Sequence, residues 1–270
     1  MEVHHHPHVG SDSHREKKFK EYFLEFIMIF LAVTMGFFAE SLREHLSNHA
    51  KEKEYIIGIK KDLVADTASM NDFLPSLISR INQTDTLIKL LQAQGVTGHG
   101  SDMYYLARLT TKLRSFIANN TTLTELEHSG NFGLITKEPV LTGLVKVQKI
   151  AETYKVITAL DEQEAEMTYP LLGNLFDASV FNTMESGSHF VIDSTATAFA
   201  NITKPAGNPQ LRHHNPDAIN QLIFDLHERN GSFIGEVGIL KELKAEEIAL
   251  IQTINTQYHL KDSKPRKISK

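Results

Sequence analysis

The chain has no cysteine and no tryptophan among its 270 residues, and only eight prolines. Without cysteine there is no disulfide, no thiolate nucleophile and no thiolate metal site, which suits cytoplasm and periplasm alike. Neither sign of charge dominates: 28 Lys and Arg stand against 33 Asp and Glu, a net charge of −5 with the two signs interspersed. That balance carries no footprint for nucleic acid. There is no phosphate-binding P-loop, no dinucleotide glycine fingerprint, no G-x-S-x-G elbow and no H-E-x-x-H pair. The expectation is a protein without enzymatic chemistry and without a cofactor.

One long apolar stretch is present. Phe26–Ala39 is free of charge, but at about 1.5 Å per residue it covers only about 21 Å of the roughly 30 Å hydrocarbon slab. Extending it to Tyr22–Leu42 gives about 31 Å, enough to cross, and sets Glu25 and Glu40 near the two boundaries. A buried helix of a soluble protein is the alternative. A cleaved signal peptide is disfavoured, because Phe37 stands two positions before Ala39 and spoils the small-x-small pattern. The expectation is one uncleaved transmembrane helix at residues 21–43.

Arg15, Lys17, Lys18 and Lys20 precede this helix, whereas Arg43 alone follows closely. By the positive-inside rule the N-terminus is cytoplasmic and the main domain lies outside, in the periplasm if the membrane is a bacterial inner membrane. Glu25, Ala32 and Ala39 recur every seven residues, as do Ile29, Gly36 and Arg43. Ala32, Gly36 and Ala39 make a small-residue face on which two helices can approach closely in lipid. Glu25 on the same stripe is a candidate intramembrane carboxylate, with the headgroup region as its plainer location.

Residues 1–66 read MEVHHHPH, then KKFKEYFLEFIMIFLAVTMGFFAESLREHL, then KEKEYIIGIKKDLVAD. This stretch resembles a family of uncharacterised membrane-anchored bacterial proteins, seen mainly in the Bacteroidota and carrying a domain of unknown function. Met1–His8, Glu25-Phe26, Gly36, Glu40, Arg43-Glu44 and Glu52–Tyr55 carry the resemblance, and Asn119–Ile135 is similar to related anchored families. About a third of the chain is covered. The resemblance implies an N-terminal anchor, a helical domain and a native His-rich start. It implies no activity and no site residue.

The remainder, residues 44–260, has helical periodicity. Ile56, Ile59, Leu63, Met70, Phe73, Leu77, Ile81, Ile88 and Leu91 recur at threes and fours, with Pro75 expected to kink or break the helix. A second helix is expected from a Ser101 or Asp102 cap to about Ala118. A short one should follow, opened by a capping box at Thr122–Glu125 and stopped by Gly130. A third helix is expected from a Thr136 cap to about Tyr169, where Pro170 ends or kinks it, with a further helical piece in Leu171–Met184. Residues 186–215 are irregular, with His189–Ile192 and Ala198–Ile202 as a candidate hairpin. Asn215 and Pro216 open the last helix. Its core face is read as Ile219, Leu222, Leu226, Phe233, Val237, Leu240, Leu243, Ile248, Ile251 and Ile254, with Gly231 a candidate interruption. Lys261–Lys270 is a basic tail. The expected fold is all-α: an N-terminal transmembrane helix, then an up-and-down bundle with one long irregular insertion.

Candidate ligands are few. His4, His5, His6 and His8 suit weak binding of a divalent metal, but they flank Pro7 and precede Gly10, with no second shell to orient them. His213 and His214 lack a third ligand at a recognisable spacing. Glu162 and Glu166 share a helix face and are read as solvated. The expected partners are therefore the lipid bilayer and a protein, either another protein or further copies of this chain. The leading functional expectation is a membrane-anchored interaction or scaffold module. The alternatives are an extracytoplasmic ligand-sensing bundle that signals through a partner and an ion- or proton-linked oligomer that uses Glu25.

Overall fold

The computed structural model describes residues 12–93, 98–112, 115–186, 192–193, 196–197 and 201–260. The protein is all-α. Its helices are α1 (Asp12–Gln92), α2 (Gly100–Thr110), α3 (Thr121–His128), α4 (Glu138–Leu175), α5 (Ala178–Asn182) and α6 (Pro216–Tyr258). A single 3-10 turn, Asn131–Leu134, joins α3 to α4. The chain divides into two compact units, Met1–Glu54 and Tyr55–Lys270.

In the first unit α1 turns its large apolar side chains outward. Phe26, Ile29, Phe30, Val33, Phe37 and Phe38 are all exposed. An 18-residue window of this helix has a mean hydropathy of 2.0 and no buried residue. Among the described residues it is the one helix long and apolar enough to cross a membrane. The core helix of a soluble protein, in contrast, is mostly buried.

The second unit is a bundle of four legs. The later part of α1 runs antiparallel to α6, as Lys244 Nζ on Asn71 Oδ1 and Asn230 Nδ2 on Asp85 Oδ1 show. α4 is also antiparallel to α6: Lys146 pairs with Glu246, and Tyr154 with Glu236. The remaining leg descends beside α1 and is broken into α2, an irregular connection and α3. Arg80 meets Leu109, Asp66 meets Asn119 and Asp62 meets Thr122, so residue numbers fall along α1 as they rise along this leg. The order is up-down-up-down.

Several boundaries differ from the sequence reading. α1 and α4 run through Pro75 and Pro170. Both prolines are exposed, as are Asn71 and Glu166, whose carbonyls they leave unpaired, so water can solvate those oxygens. Buried Leu74 and Leu77, and buried Leu172 and Leu175, hold the helices in place on either side. α2 ends at Thr110, not near Ala118, because its last carbonyls are taken by arginines from other legs. No capping box forms at Thr122: the N-cap is Asn120, and Asp62 of α1 accepts the Thr122 N–H. The N-cap of α4 is Lys137. Gly130 does stop α3, at φ +68°, a conformation that costs glycine little. Asn215 caps α6 through its side chain, and Gly231 interrupts nothing.

Two apolar cores fill the bundle. The lower one joins Ile56, Leu63, Met70, Leu126, Leu144 and Leu240 with their neighbours. The upper one gathers Leu87, Tyr104, Phe176, Met184, Leu222 and Leu226. The 183–215 insertion is tied to this upper end. The Tyr104 hydroxyl donates to the Gln210 carbonyl, and the Arg212 N–H to the Leu175 carbonyl. Gly100 permits a close approach here: a Cβ would lie 1.9 Å from the Pro209 oxygen. The insertion does contain antiparallel strands, but paired differently from the expected hairpin. Ile192–Asp193 pairs with Ala196–Thr197, and Glu185–Ser186 with Asn201–Ile202. Residues 189–191, 194–195 and 198–200 lie outside the described set.

Candidate functional site: buried charges and an acidic cleft

α6 presents a seven-residue repeat to the bundle. Leu222, Arg229, Glu236, Leu243 and Leu250 form one row, and Leu226, Phe233, Leu240, Glu247 and Ile254 the other; all ten are buried. Three positions of this core frame therefore carry charge. The sequence reading chose apolar neighbours instead. Val237 is only half-buried, and Ile248 is 41 % exposed. Hydrophobicity misled there because the buried frame holds ionisable residues, so Arg229, Glu236, Glu247 and Leu250 were missed.

Most of this charge serves the broken leg. A connection that leaves helical hydrogen bonding between two helical segments needs other partners for its amides, and here only Phe116 of the described connecting residues is itself buried. All three continuous helices supply them. From α1, Arg80 Nη1 donates to the Leu109 carbonyl at 3.0 Å, and both Asp66 oxygens accept the Asn119 N–H at 2.8 and 2.9 Å. From α6, Arg229 Nη2 donates to the Thr110 carbonyl at 3.0 Å. From α4, the Tyr154 hydroxyl accepts the Phe116 N–H at 3.1 Å and donates to Glu236 Oε2 at 3.2 Å. Arg229 also lies over the Phe233 ring, 5.6 Å from its centroid.

The ionisation of these groups follows from their surroundings. Burial, then the neighbouring Asp161 carboxyl, pushes Glu236 up to about 9. The group thus keeps its proton at neutral pH, which relieves the charge it would otherwise bring against Asp161. Burial and the charge of Glu236 push Tyr154 far up, so it acts only as a neutral hydroxyl. Burial pulls Arg229 down.

Glu247 has no such role. It is 1 % exposed, and its Oε2 has no hydrogen-bond partner. Burial and the nearby Asp66 push it up to about 8. Asp66, 5 % exposed, is pushed up to about 6, mainly by burial. Glu247 and Asp66 line a cleft of about 120 Å³ between α1, α3, α4 and α6. Its apolar wall comes from Ile59, Leu63, Leu123, Leu144, Val147 and Ala151. Asp62, Glu127 and Glu152 stand nearer the rim, and no lining residue is basic.

The residues singled out in the sequence are placed as follows. Glu25, Ala32, Gly36 and Ala39 are exposed on α1, and Gly36 has open space where a Cβ would stand. Glu40 is bound by Arg43 through two contacts, at 3.0 and 2.5 Å, which offsets the acid near that end of the apolar stretch. His4, His5, His6 and His8 lie outside the described residues, as does the 261–270 tail. His213 and His214 are exposed in the loop before α6. Glu162 and Glu166 are exposed. Asp66, Tyr154, Asp161, Arg229, Glu236 and Glu247 were not foreseen.

No protein-family description, curated protein or solved structure matches the chain.

Proposed function

We propose that the protein is a single-pass membrane-anchored interaction or scaffold module, set in a bacterial inner membrane with its N-terminus in the cytoplasm and its bundle in the periplasm. The observation that carries this reading is the outward apolar face of α1, whose 18-residue window buries nothing. Large exposed apolar surface in an isolated chain marks a membrane or a partner. The Arg15–Lys20 cluster before the helix supports the orientation. The resemblance read in residues 1–66 to anchored Bacteroidota proteins is in keeping with an N-terminal anchor. The Ala32, Gly36 and Ala39 face, exposed and without a Cβ at Gly36, suits contact with a second copy or a partner helix.

Two measurements test this. Alkaline carbonate extraction should leave the chain in the membrane pellet, and protease should digest the bundle in spheroplasts whose inner membrane is intact. Release by carbonate would overturn the anchor; protection until lysis would reverse the orientation.

A second reading, a ligand-sensing bundle, is favoured by one observation: the cleft holds a buried carboxyl oxygen with no protein partner. The third, an ion-linked oligomer, rests on Glu25 alone. Glu25→Gln should then abolish ion transport by the reconstituted protein without affecting insertion.

A further inference from the structure

We infer that the cleft beside Glu247 is a binding site for a small organic monocation, an ammonium group with a short hydrocarbon chain. This rests on the ligand-sensing reading and names the ligand class.

Other acids of the bundle have partners within the chain. Asp66 and Asp62 hold backbone amides of the broken leg, and Glu236 takes the Tyr154 hydroxyl. Asp161 Oδ2 and two nitrogens of Arg229, Nε and Nη1, also lack a partner, but neither residue lines the cleft. Glu247 is the most deeply buried carboxylate of the bundle, yet its Oε2 meets no donor. A buried acceptor left unsatisfied is destabilising, because it has lost its water and gained no donor. The group also lines a cleft whose wall includes the exposed acids Glu127 and Glu152.

The cleft wall specifies the ligand. Its ionisable groups are Asp62 and Asp66 from α1, Glu127 from α3, Glu152 from α4 and Glu247 from α6. All are acids, grading from exposed at the rim to buried at depth, which repels anions and attracts cations. A hard divalent ion is a poor match, because it requires about six or more oxygens and half of this wall is hydrocarbon. An alkylammonium satisfies both halves: three N–H donors for the carboxyl groups, and methylenes against Leu63, Leu144 and Val147. The volume, about 120 Å³, is a little below that of a cavity known to take benzene at about 150 Å³. A four-carbon amine is of suitable size.

Binding is linked to protons. Because Glu247 is pushed up to about 8, it is mostly protonated at pH 7 in the empty cleft. An ammonium group favours the carboxylate, so uptake of the cation expels a proton.

The test uses the full chain in non-ionic detergent, titrated calorimetrically with n-butylammonium chloride and, separately, with 1-butanol. The expected result is saturable binding of the amine, at least about tenfold tighter than the alcohol, with proton release at pH 7 seen as a dependence on buffer ionisation heat. Glu247→Gln should weaken amine binding at least about tenfold and abolish the proton release. Ala151→Leu, which fills the wall without touching a charge, should block both probes. Thermal unfolding confirms that each variant folds. Equal binding of amine and alcohol overturns the cation assignment while the ligand-sensing reading survives. Undiminished binding to a folded Glu247→Gln also overturns it. No binding of either probe overturns both readings.

Discussion

Glu236 and Glu247 stand three turns apart on one face of α6, both buried and both held above the ordinary carboxyl value of 4.5. Their surroundings divide them. Glu236 receives a tyrosine hydroxyl and faces a second acid, Asp161, in a layer where charged side chains stand in for missing helix hydrogen bonds. Glu247 faces a cleft, with one oxygen unpaired. The same residue type, once in each of the two buried rows of α6, is thus structural in one place and available in the other. Burial and a raised pKa alone do not distinguish a site from a scaffold, and an unpartnered atom alone does not either, since Asp161 Oδ2 and Arg229 Nε also lack partners; Glu247 differs in lining the cleft as well.

The comparison depends on the seven-residue frame of α6, and the largest effect tests that frame. Leu250→Ala should cost about 2–5 kcal/mol, as expected for a fully packed core leucine, whereas exposed Ile248→Ala should stay within about 0.5 kcal/mol. Equal effects would show the frame to be misplaced. Chemical denaturation of the full chain in detergent measures both.

The next effect concerns pH. For an acid whose folded pKa is raised, the native state holds a proton that the unfolded state has released. Stability from this source is complete below the unfolded value of 4.5 and is lost as pH rises through about 8 for Glu247. Between pH 5 and 8 the loss from this group is on the order of 3 kcal/mol or less. Asp66 and Glu236 act in the same direction. The melting temperature should therefore fall from pH 5 to pH 9. Glu247→Gln should flatten that slope and stabilise the protein at pH 8. A melting temperature that rises over this interval would refute the burial of these acids in protonated form.

Glu236→Ala, in contrast, should destabilise by about 2 kcal/mol, because it strips Tyr154 of its acceptor and opens a cavity. If this variant and Glu247→Gln both stabilise the bundle at pH 8, the distinction between the two glutamates fails. A smaller loss is expected for Tyr154→Phe, about 1–2 kcal/mol, from the Phe116 N–H left without an acceptor. Amide exchange at Phe116 should speed up selectively in that variant; unchanged protection there would argue against the tyrosine as the anchor of the broken leg.

The apolar stretch of α1 and the α6 face show how differently two segments can be read. Phe26–Ala39 is legible by itself, because a run of hydrocarbon side chains has the same meaning whatever surrounds it. The α6 face was half legible. Leu222, Leu226, Phe233 and Leu240 were found by hydrophobicity, while Glu236 and Glu247 were passed over for Val237 and Ile248. A strict count of sevens, indifferent to side-chain type, places both acids inside. The caps failed for a related reason: Thr122 looked self-sufficient, yet Asp62, sixty residues earlier, accepts its amide.

The sequence by itself determined the all-α class, the long helices, the Asn215 cap, the Gly130 stop and the one stretch oily enough to cross a membrane, because each depends on local periodicity or on a single residue's backbone preference. Only the tertiary structure decided that the second leg breaks after Thr110, that Arg80, Asp66, Tyr154 and Arg229 mend the break, and that Glu247 faces a cleft. Those outcomes depend on which polar groups from distant segments come within hydrogen-bonding distance, and no local pattern encodes that distance.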